Sequence, residues 1–471
     1  MSVTPERPWA GRRLHFVGVG GAGMSGYARA SHALGARVSG SDRVASVYTE
    51  RLAADGVLEA RIGEHDAANV PAGDDVEVVH SSAVPPENPE RVAARARGLP
   101  ERPRAELLGE LSVLRRTIAV AGTHGKTTTS AMLVSALRAA GLQPDWLVGG
   151  SVGEGEDNAS WTGMGEWLIV EADESDRSML ALDVDIAVLT NVELEHHATF
   201  ESLAELREAF RAFLARARTA IVVWDRPELL ALAPEGARTV QVGAVQTTGG
   251  PGVELVSFDV AAPVLTDGGS RFDWRGHEVA LSVPGTHNAL NATAALEAAR
   301  LAGADAQRAI AGLAGFRGAG RRFQPLGETA RGARVYDDYA HHPTEVAATL
   351  AGARTLAHER LIAVFQPHLY SRTAMFAREF GAALAQADVT VVLDVYPARE
   401  RAEDHPGVSG LLIAQDAADA AHGRPVYWLP TFADAEPVLR GLLGAGDVCV
   451  AMGAGDIDAL ARALVEDDDG A

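Results

Sequence analysis

Seven consecutive residues, Gly122-Thr123-His124-Gly125-Lys126-Thr127-Thr128, bring together two flexible glycines, one ammonium group and three hydroxyls. Glycines let backbone N–H groups converge on phosphate oxygens, a lysine neutralises them, and the hydroxyl of Thr127 suits a hard divalent cation. Lys126 is the only lysine among 471 residues. In a chain that uses arginine at every other cationic position, a retained lysine reads as chemical. The loop departs from the G-x-x-x-x-G-K-[ST] pattern at one place, because position 120 is Val.

A second glycine cluster, Gly18-Val19-Gly20-Gly21-Ala22-Gly23, satisfies G-x-G-x-x-G, and Asp42 lies near the spacing of a ribose-binding acid. Such a loop suits a diphosphate at a helix N-terminus, or it is simply a tight strand-to-helix turn. Carboxylates gather at Glu171-Ala172-Asp173-Glu174-Ser175-Asp176. Glu171, at the end of an apolar run, is best placed to reach a cation, while a solvated acidic turn would fit most of the others. Two histidines beside carboxylates, His196 and His197 after Glu193 and Glu195, point to a metal or phosphate role. Asn288 and Asn291 stand one helical turn apart and would suit a purine edge, or Asn288 caps the helix. Further ionisable clusters follow at 320–323, 337–345, 365–373 and 453–457.

Strand-like apolar runs alternate with amphipathic helical stretches and place these groups at strand ends, the α/β signature. Strands are expected at 14–19, up to Asp42, at 76–81, 117–121, 167–172, 186–190 and 220–224. Helices are expected after each glycine loop and over about 202–217. Residues 250–283 read as antiparallel hairpins attached to a parallel sheet, followed by helices at about 287–302 and 305–314. A third block has strands at 334–338, 361–366, 389–395, 426–429 and 447–452. The resulting domain boundaries are 1–115, 116–320 and 321–471.

The composition, 47% hydrophobic and 22% charged, is that of a globular chain. A formal net charge of −21 disfavours nucleic acid and acidic membranes as partners. No apolar run approaches the roughly 18 residues of a membrane span, and the N-terminus lacks a signal-peptide pattern. A single cysteine, Cys449, lies in an apolar run and reads as strand core. A cytoplasmic location follows.

Taken together, these motifs resemble the Mur ligase family, and most of all its alanine-adding branch. The resemblance spans the chain: 18–25, His-Ser-Ser-Ala at 80–83, Arg-Ala-Glu at 104–106, 122–128, 171–176, 191–196, the Asn288/Asn291 helix, 321–323, 337–345 and 365–373. That family's phosphate loop reads Gly-Thr-x-Gly-Lys-[ST], so Val120 conforms to it. The resemblance implies three domains: a Rossmann-like N-terminal one, a central P-loop ATPase-type one with a parallel sheet and an antiparallel β extension, and a Rossmann-like α/β C-terminal one. It implies that UDP-N-acetylmuramate is held by Gly20, Gly21 and Gly23 with Asp42, His80, Ser81 and Ser82. ATP is expected at Gly122, Thr123, His124, Gly125, Lys126, Thr127 and Thr128, with Asn288, Asn291 and Arg321. Mg²⁺ is expected at Thr127, Glu171 and His196, and the catalytic set is Lys126, Glu171, His196, His341 and Arg372, with His368 beside them.

The implied reaction joins L-alanine to the sugar's lactyl carboxylate through an acyl phosphate, by a monomer or homodimer, with the third domain closing over the second. A carbamylated lysine, which several relatives use at the second metal, is impossible in a chain whose one lysine is Lys126. A ligase recycling a ready-made tripeptide shares most of these motifs. A nicotinamide-dependent oxidoreductase would use 18–23 and Asp42 but leaves Lys126, Glu171 and His196 unexplained. A non-catalytic nucleotide-binding regulator would keep the fold alone.

Overall fold

In the computed structural model, residues 7–153, 157–195, 199–241 and 253–466 are described. Three sheets with helices on their faces, and a small antiparallel sheet, make up this part of the chain. The first sheet is wholly parallel, in the order Arg61–Ile62, Arg37–Asp42, Arg13–Val17, Val76–His80, Glu101–Pro103. Strand order reverses between Arg13–Val17 and Val76–His80, and this is where a doubly wound sheet opens its ligand crevice.

The central sheet runs Arg238–Gln241, Glu254–Phe258, Ala217–Trp224, Val184–Leu189, Arg116–Ala121, Trp167–Glu171, Asp145–Leu147, Ala159–Ser160. Only the last pairing is antiparallel. Its middle strands are near-continuous apolar runs, as parallel strands covered on both faces must be. Residues 254–258, expected in a hairpin, form a parallel strand beside Ala217–Trp224. The antiparallel part is confined to Val264–Thr266, Gly269–Trp274 and His277–Leu281, which form a separate sheet. The expected hairpin residues 250–252 lie outside the described residues. The helix expected over 202–217 is shorter, Leu203–Leu214, and Ala217 already belongs to the next strand.

The chain divides into two compact units. The first contains both of these sheets, and a single apolar cluster runs from Leu14 and Phe16 through Leu107, Leu108 and Leu111 to Ala119, Leu168 and Ala187. Polar contacts reinforce the junction: Asn158 Nδ2 donates to Ala22 O (2.5 Å) and to Ser25 Oγ (3.2 Å), and Asp157 pairs with Arg29 and Arg51. The second unit holds the third sheet, in the order Gln324–Glu328, Arg334–Asp338, Val448–Met452, Leu361–Phe365, Val389–Val392, Val426–Trp428. Its first pairing is antiparallel and the rest parallel, and Cys449 is fully buried in one apolar layer. No described helix is long and apolar enough to cross a membrane.

The first sheet also contains a buried ionic knot. The Glu90 carboxylate contacts His15 Nε2 (2.8 Å), Ser41 Oγ (2.7 Å), His65 Nδ1 (2.7 Å) and Asn69 Nδ2 (3.0 Å). Burial alone would raise its pKa, but the bonds from His15, Asn69, Ser41 and His65 outweigh that and hold it at about 2. A carboxylate depressed in the folded state stabilises above its unfolded value and loses that contribution as pH falls through the folded one. The stability difference between wild type and Glu90→Gln, followed by thermal unfolding, is therefore expected to include the full contribution of this carboxylate at pH 5. It should shrink between pH 4.5 and 2, from a contribution of up to about 3 kcal/mol. A difference that persists unchanged to pH 2 would refute this account.

Candidate active site

Strand Arg116–Ala121 ends between two neighbours, with Val120 in register with Glu171 on one side and Ala121 with Leu189 on the other. The loop after it therefore emerges between the acid turn and the segment from Thr190. At Gly122 the backbone has φ +130°, and a Cβ there would stand 2.1 Å from Thr190 Oγ1, so only glycine fits. Gly125, at φ +80°, precedes helix Lys126–Ala139, and a Cβ there would stand 2.7 Å from Asn291 Oδ1. The 190–193 segment latches the loop. Thr190 Oγ1 donates to His124 O (2.6 Å), His124 N donates to Asn191 Oδ1 (2.8 Å), and Thr123 Oγ1 donates to Glu193 O (3.0 Å). Thr127 and Thr128 lie buried in the first helical turn.

Lys126 folds back over this loop. Its Nζ donates to Gly122 O (2.6 Å), Thr123 O (3.1 Å) and both oxygens of Glu174 (3.0 and 2.9 Å). Burial alone would depress the ammonium, but the carboxylates of Glu174, Asp173 and Glu171 outweigh it and hold its pKa above the ordinary lysine value. Glu171 Oε2 accepts from Thr127 Oγ1 (2.9 Å) and Gly149 N (2.8 Å). The rest of the acid run is not a solvated turn. Glu174 is buried against Lys126, and Arg104 takes Asp173 with Nη2 (2.7 Å) and Asp176 with Nε (2.6 Å). Burial opposes ionisation of Asp173, but Arg104 and Lys126 keep its pKa well below the usual carboxylate value.

The first glycine loop lies at the reversal point of the first sheet. A Cβ on Gly18 would stand 3.2 Å from Ser81 Cβ, so the 18–23 loop and the 80–82 turn line one crevice. Asp42 Oδ2 accepts from Gly20 N (2.7 Å), and Ser46 Oγ donates to Gly20 O (2.9 Å), which braces the loop from below. Gly21 and Ser82 are exposed, and Gly23 and Ser81 partly so. Burial lowers the pKa of His80, whose Nδ1 lies 3.2 Å from Ser81 O.

In the second unit, Arg321 donates to Gly455 O (3.0 Å), Gly453 O (3.1 Å) and Asp337 Oδ2 (3.1 Å), and lies 5.2 Å from the Tyr339 ring. Tyr339 meets the His341 ring edge-on, with centroids 5.2 Å apart, and His341 lies 6.3 Å from His368. His341 Nδ1 faces Tyr339 O at 2.9 Å, so this nitrogen carries the proton and donates. Arg372 Nη1 donates to His368 Nδ1 (3.1 Å), and burial together with Arg372 and His341 lowers the pKa of His368 to about 3. His368 is therefore neutral with its proton on Nε2. Leu369, between them, sits at φ +70°, a strained position for a non-glycine residue, held by its N–H on Tyr396 O (3.0 Å). Asp338 is buried, which pushes its carboxyl to about 6.

The structure thus gathers Lys126, Thr127, Glu171 and Asn291 around one loop, and Gly20, Gly23, Asp42 and Ser81 around the other. Arg321, His341 and Arg372 meet through Tyr339 and His368. Asn288 stands inside helix Thr286–Leu301, past the N-cap position, and its Nδ2 donates to Pro284 O (2.7 Å). His196, with His197 and Ala198, lies outside the described residues. Glu174 and Arg104 lie inside the 171–176 and 104–106 motifs that the sequence singled out, but neither was given a role in the site, because nothing in their spacing told which would be buried and paired.

Three family models match the chain in succession: "Mur ligase family, catalytic domain" over residues 13–116, "Mur ligase middle domain" over 120–299 and "Mur ligase, glutamate ligase domain" over 321–455. A UDP-N-acetylmuramate–L-alanine ligase of Nocardia farcinica is 44% identical, covering 97% of this chain and 94% of its own length. One from Mycolicibacterium smegmatis is 43% identical, covering 99% and 96%. Among solved structures, the UDP-N-acetylmuramate-alanine ligase of Thermotoga maritima superposes with a TM-score of 0.79 at 27% identity, covering 96% of this chain and 98% of that one. The murein peptide ligase of Psychrobacter arcticus shares the fold, with a TM-score of 0.68 at 23% identity over 96% and 98%. With its phosphate loop, acid turn and three matched segments in one order along nearly the whole length of such relatives, the chain belongs to the Mur ligase family.

Proposed function

We propose that this chain is an ATP-dependent ligase that joins L-alanine to the lactyl carboxylate of UDP-N-acetylmuramate, releasing ADP and phosphate. The observation that carries the reading is the lone lysine: Lys126 is held over a glycine loop by the chain's own carbonyls and by Glu174, where phosphate oxygens can replace those partners. Full-length kinship to relatives bearing the alanine-ligase name favours L-alanine over a tripeptide as the amine. In this reading residues 1–115 hold the sugar nucleotide, 116–320 hold ATP and 321–471 supply the amino-acid side.

A carboxylate is a poor acyl donor, so one of its oxygens first attacks the γ-phosphorus of ATP; ADP departs and an acyl phosphate forms. Lys126 stabilises the charge on the transferring group. The Thr127 hydroxyl and the Glu171 carboxylate are adjacent hard-oxygen donors of the kind Mg²⁺ takes, and they would hold it, with His196 at a second metal. Bound there, Mg²⁺ would neutralise phosphate oxygens. Asn291 lies beside the loop and Asn288 on the same helix, both suited to the adenine side. The amino acid's ammonium must lose a proton before its nitrogen attacks the acyl carbon and phosphate leaves. His341, with its Nδ1–H held by Tyr339 O, offers Nε2 as the acceptor, and Arg372 offers a guanidinium for the carboxylate.

Purified protein given UDP-N-acetylmuramate, ATP and Mg²⁺ is expected to release phosphate only when L-alanine is added. Release with the tripeptide but not with L-alanine would transfer the chain to the recycling reaction, and no amine-dependent release at all would sink the ligase reading. Lys126→Ala should lower kcat by at least about 10²-fold. Lys126→Arg should not restore it, because a planar fork does not replace a compact ammonium. Lys126→Ala also leaves the buried Glu174 without that cation, so adding Glu174→Gln is expected to recover thermal stability but not turnover. Thr127→Val should weaken Mn²⁺ retention in the presence of ADP, read by electron paramagnetic resonance; unchanged retention would remove Thr127 from the metal site.

A further inference from the structure

Arg104 opens helix Arg104–Ser112, directly after the edge strand Glu101–Pro103, on the side of the first sheet where the glycine loop emerges. Its side chain is only 14% exposed. Two of its edges are committed: Nε to Asp176 and Nη2 to Asp173, two separate carboxylates instead of one bidentate partner. The remaining nitrogen, Nη1, donates to no group among the described residues and faces the loop, 3.1 Å from where a Cβ on Gly23 would stand. Tyr27 Oη borders the same spot at 3.7 Å.

The surroundings explain why a cation is needed there. The chain carries a net charge of −21, so an anionic ligand must find its counter-charge locally. Around this crevice His80 is neutral near pH 7, and Asp42 is occupied with Gly20 N. Backbone N–H groups and the start of helix Ala22–Ala33 provide partial charge, and Arg104, its charge balanced by Asp173 and Asp176, adds a directed guanidinium N–H. Its anchors also matter. Asp173 is followed directly by Glu174, which holds Lys126, so consecutive residues of one turn fix a cation beside each glycine loop.

Resting on the proposed function, we infer that Arg104 binds the sugar nucleotide: clamped by Asp173 and Asp176, it turns Nη1 past Gly23 to an anionic oxygen of the UDP-sugar. Diphosphate and lactyl carboxylate share that chemistry. The same clamp makes Arg104 a positioning residue for the acceptor relative to Lys126.

The test is titration calorimetry and steady-state kinetics on the full chain. Arg104→Ala is expected to raise KM and Kd for UDP-N-acetylmuramate roughly 10- to 100-fold, the loss of one charge-assisted hydrogen bond pair. KM for ATP should stay within about twofold, a split that general loosening of the structure would not produce. Arg104→Lys, which keeps the charge for Asp173 and Asp176 but not the fork, should show a smaller loss and guards against misfolding of the alanine variant. A parallel weakening for UDP-N-acetylglucosamine identifies the diphosphate as the partner; weakening for UDP-N-acetylmuramate alone identifies the lactyl carboxylate. Wild-type sugar affinity in a folded Arg104→Ala or Arg104→Lys protein, or equal losses for sugar and ATP, would overturn the inference. Failure of the wild type to bind the sugar or release phosphate would instead overturn the proposed function beneath it.

Discussion

One ammonium group organises the candidate site. Lys126 lies in a buried setting that by itself favours loss of its proton, and it stays charged because carboxylates from a single turn surround it. In a chain so rich in acids the difficulty is not to find negative charge but to spend it on the right cation. The 171–176 turn does this by division of labour. Glu171 takes a hydroxyl and a backbone N–H, Glu174 takes the lysine, and Asp173 and Asp176 take Arg104. Each carboxylate thereby meets a donor, which a buried or half-buried charge requires.

The same turn bonds Lys126 at one glycine loop and Arg104, which borders the other, and the two loops emerge from different sheets. Each loop lies at the C-terminal ends of parallel strands, where helix N-termini and free backbone N–H groups suit anions. A shared apolar cluster and the polar contacts of Asn158 and Asp157 join these sheets, so the link through Arg104 and Asp173 rests on a continuous core. In the proposed reaction the sugar's carboxylate and the ATP phosphate must keep a fixed spacing, and a turn bonded to both Arg104 and Lys126 would supply that constraint.

Much of this was legible in the chain. The parallel strands announced themselves as apolar runs because both of their faces are covered, and strand Arg334–Asp338 matches its expected bounds. The glycines at 122 and 125 could be placed from their spacing to Lys126. Short edge strands such as Arg61–Ile62, Ala159–Ser160 and Gln324–Glu328 could not, since two to five residues with polar members carry no periodicity, and only pairing with a neighbour makes them strands. The 254–258 segment shows the same limit. Its apolar content was plain, but whether it pairs parallel or antiparallel is a property of the partner strand.

The amino-acid sequence by itself determined which chemical groups this protein has to work with: one lysine, two glycine loops, a run of acids after a buried strand, and a third block rich in arginine and histidine. Those are matters of composition and local spacing, and they follow from covalent order alone. Only the tertiary structure decided which acid serves which cation, that His368 is neutral while Arg372 donates to it, and that Arg104 reaches the acid turn of another sheet. Such pairings join residues far apart in the chain. Burial, hydrogen-bond partners and local field fix them, and none of these exists until the sheets have packed.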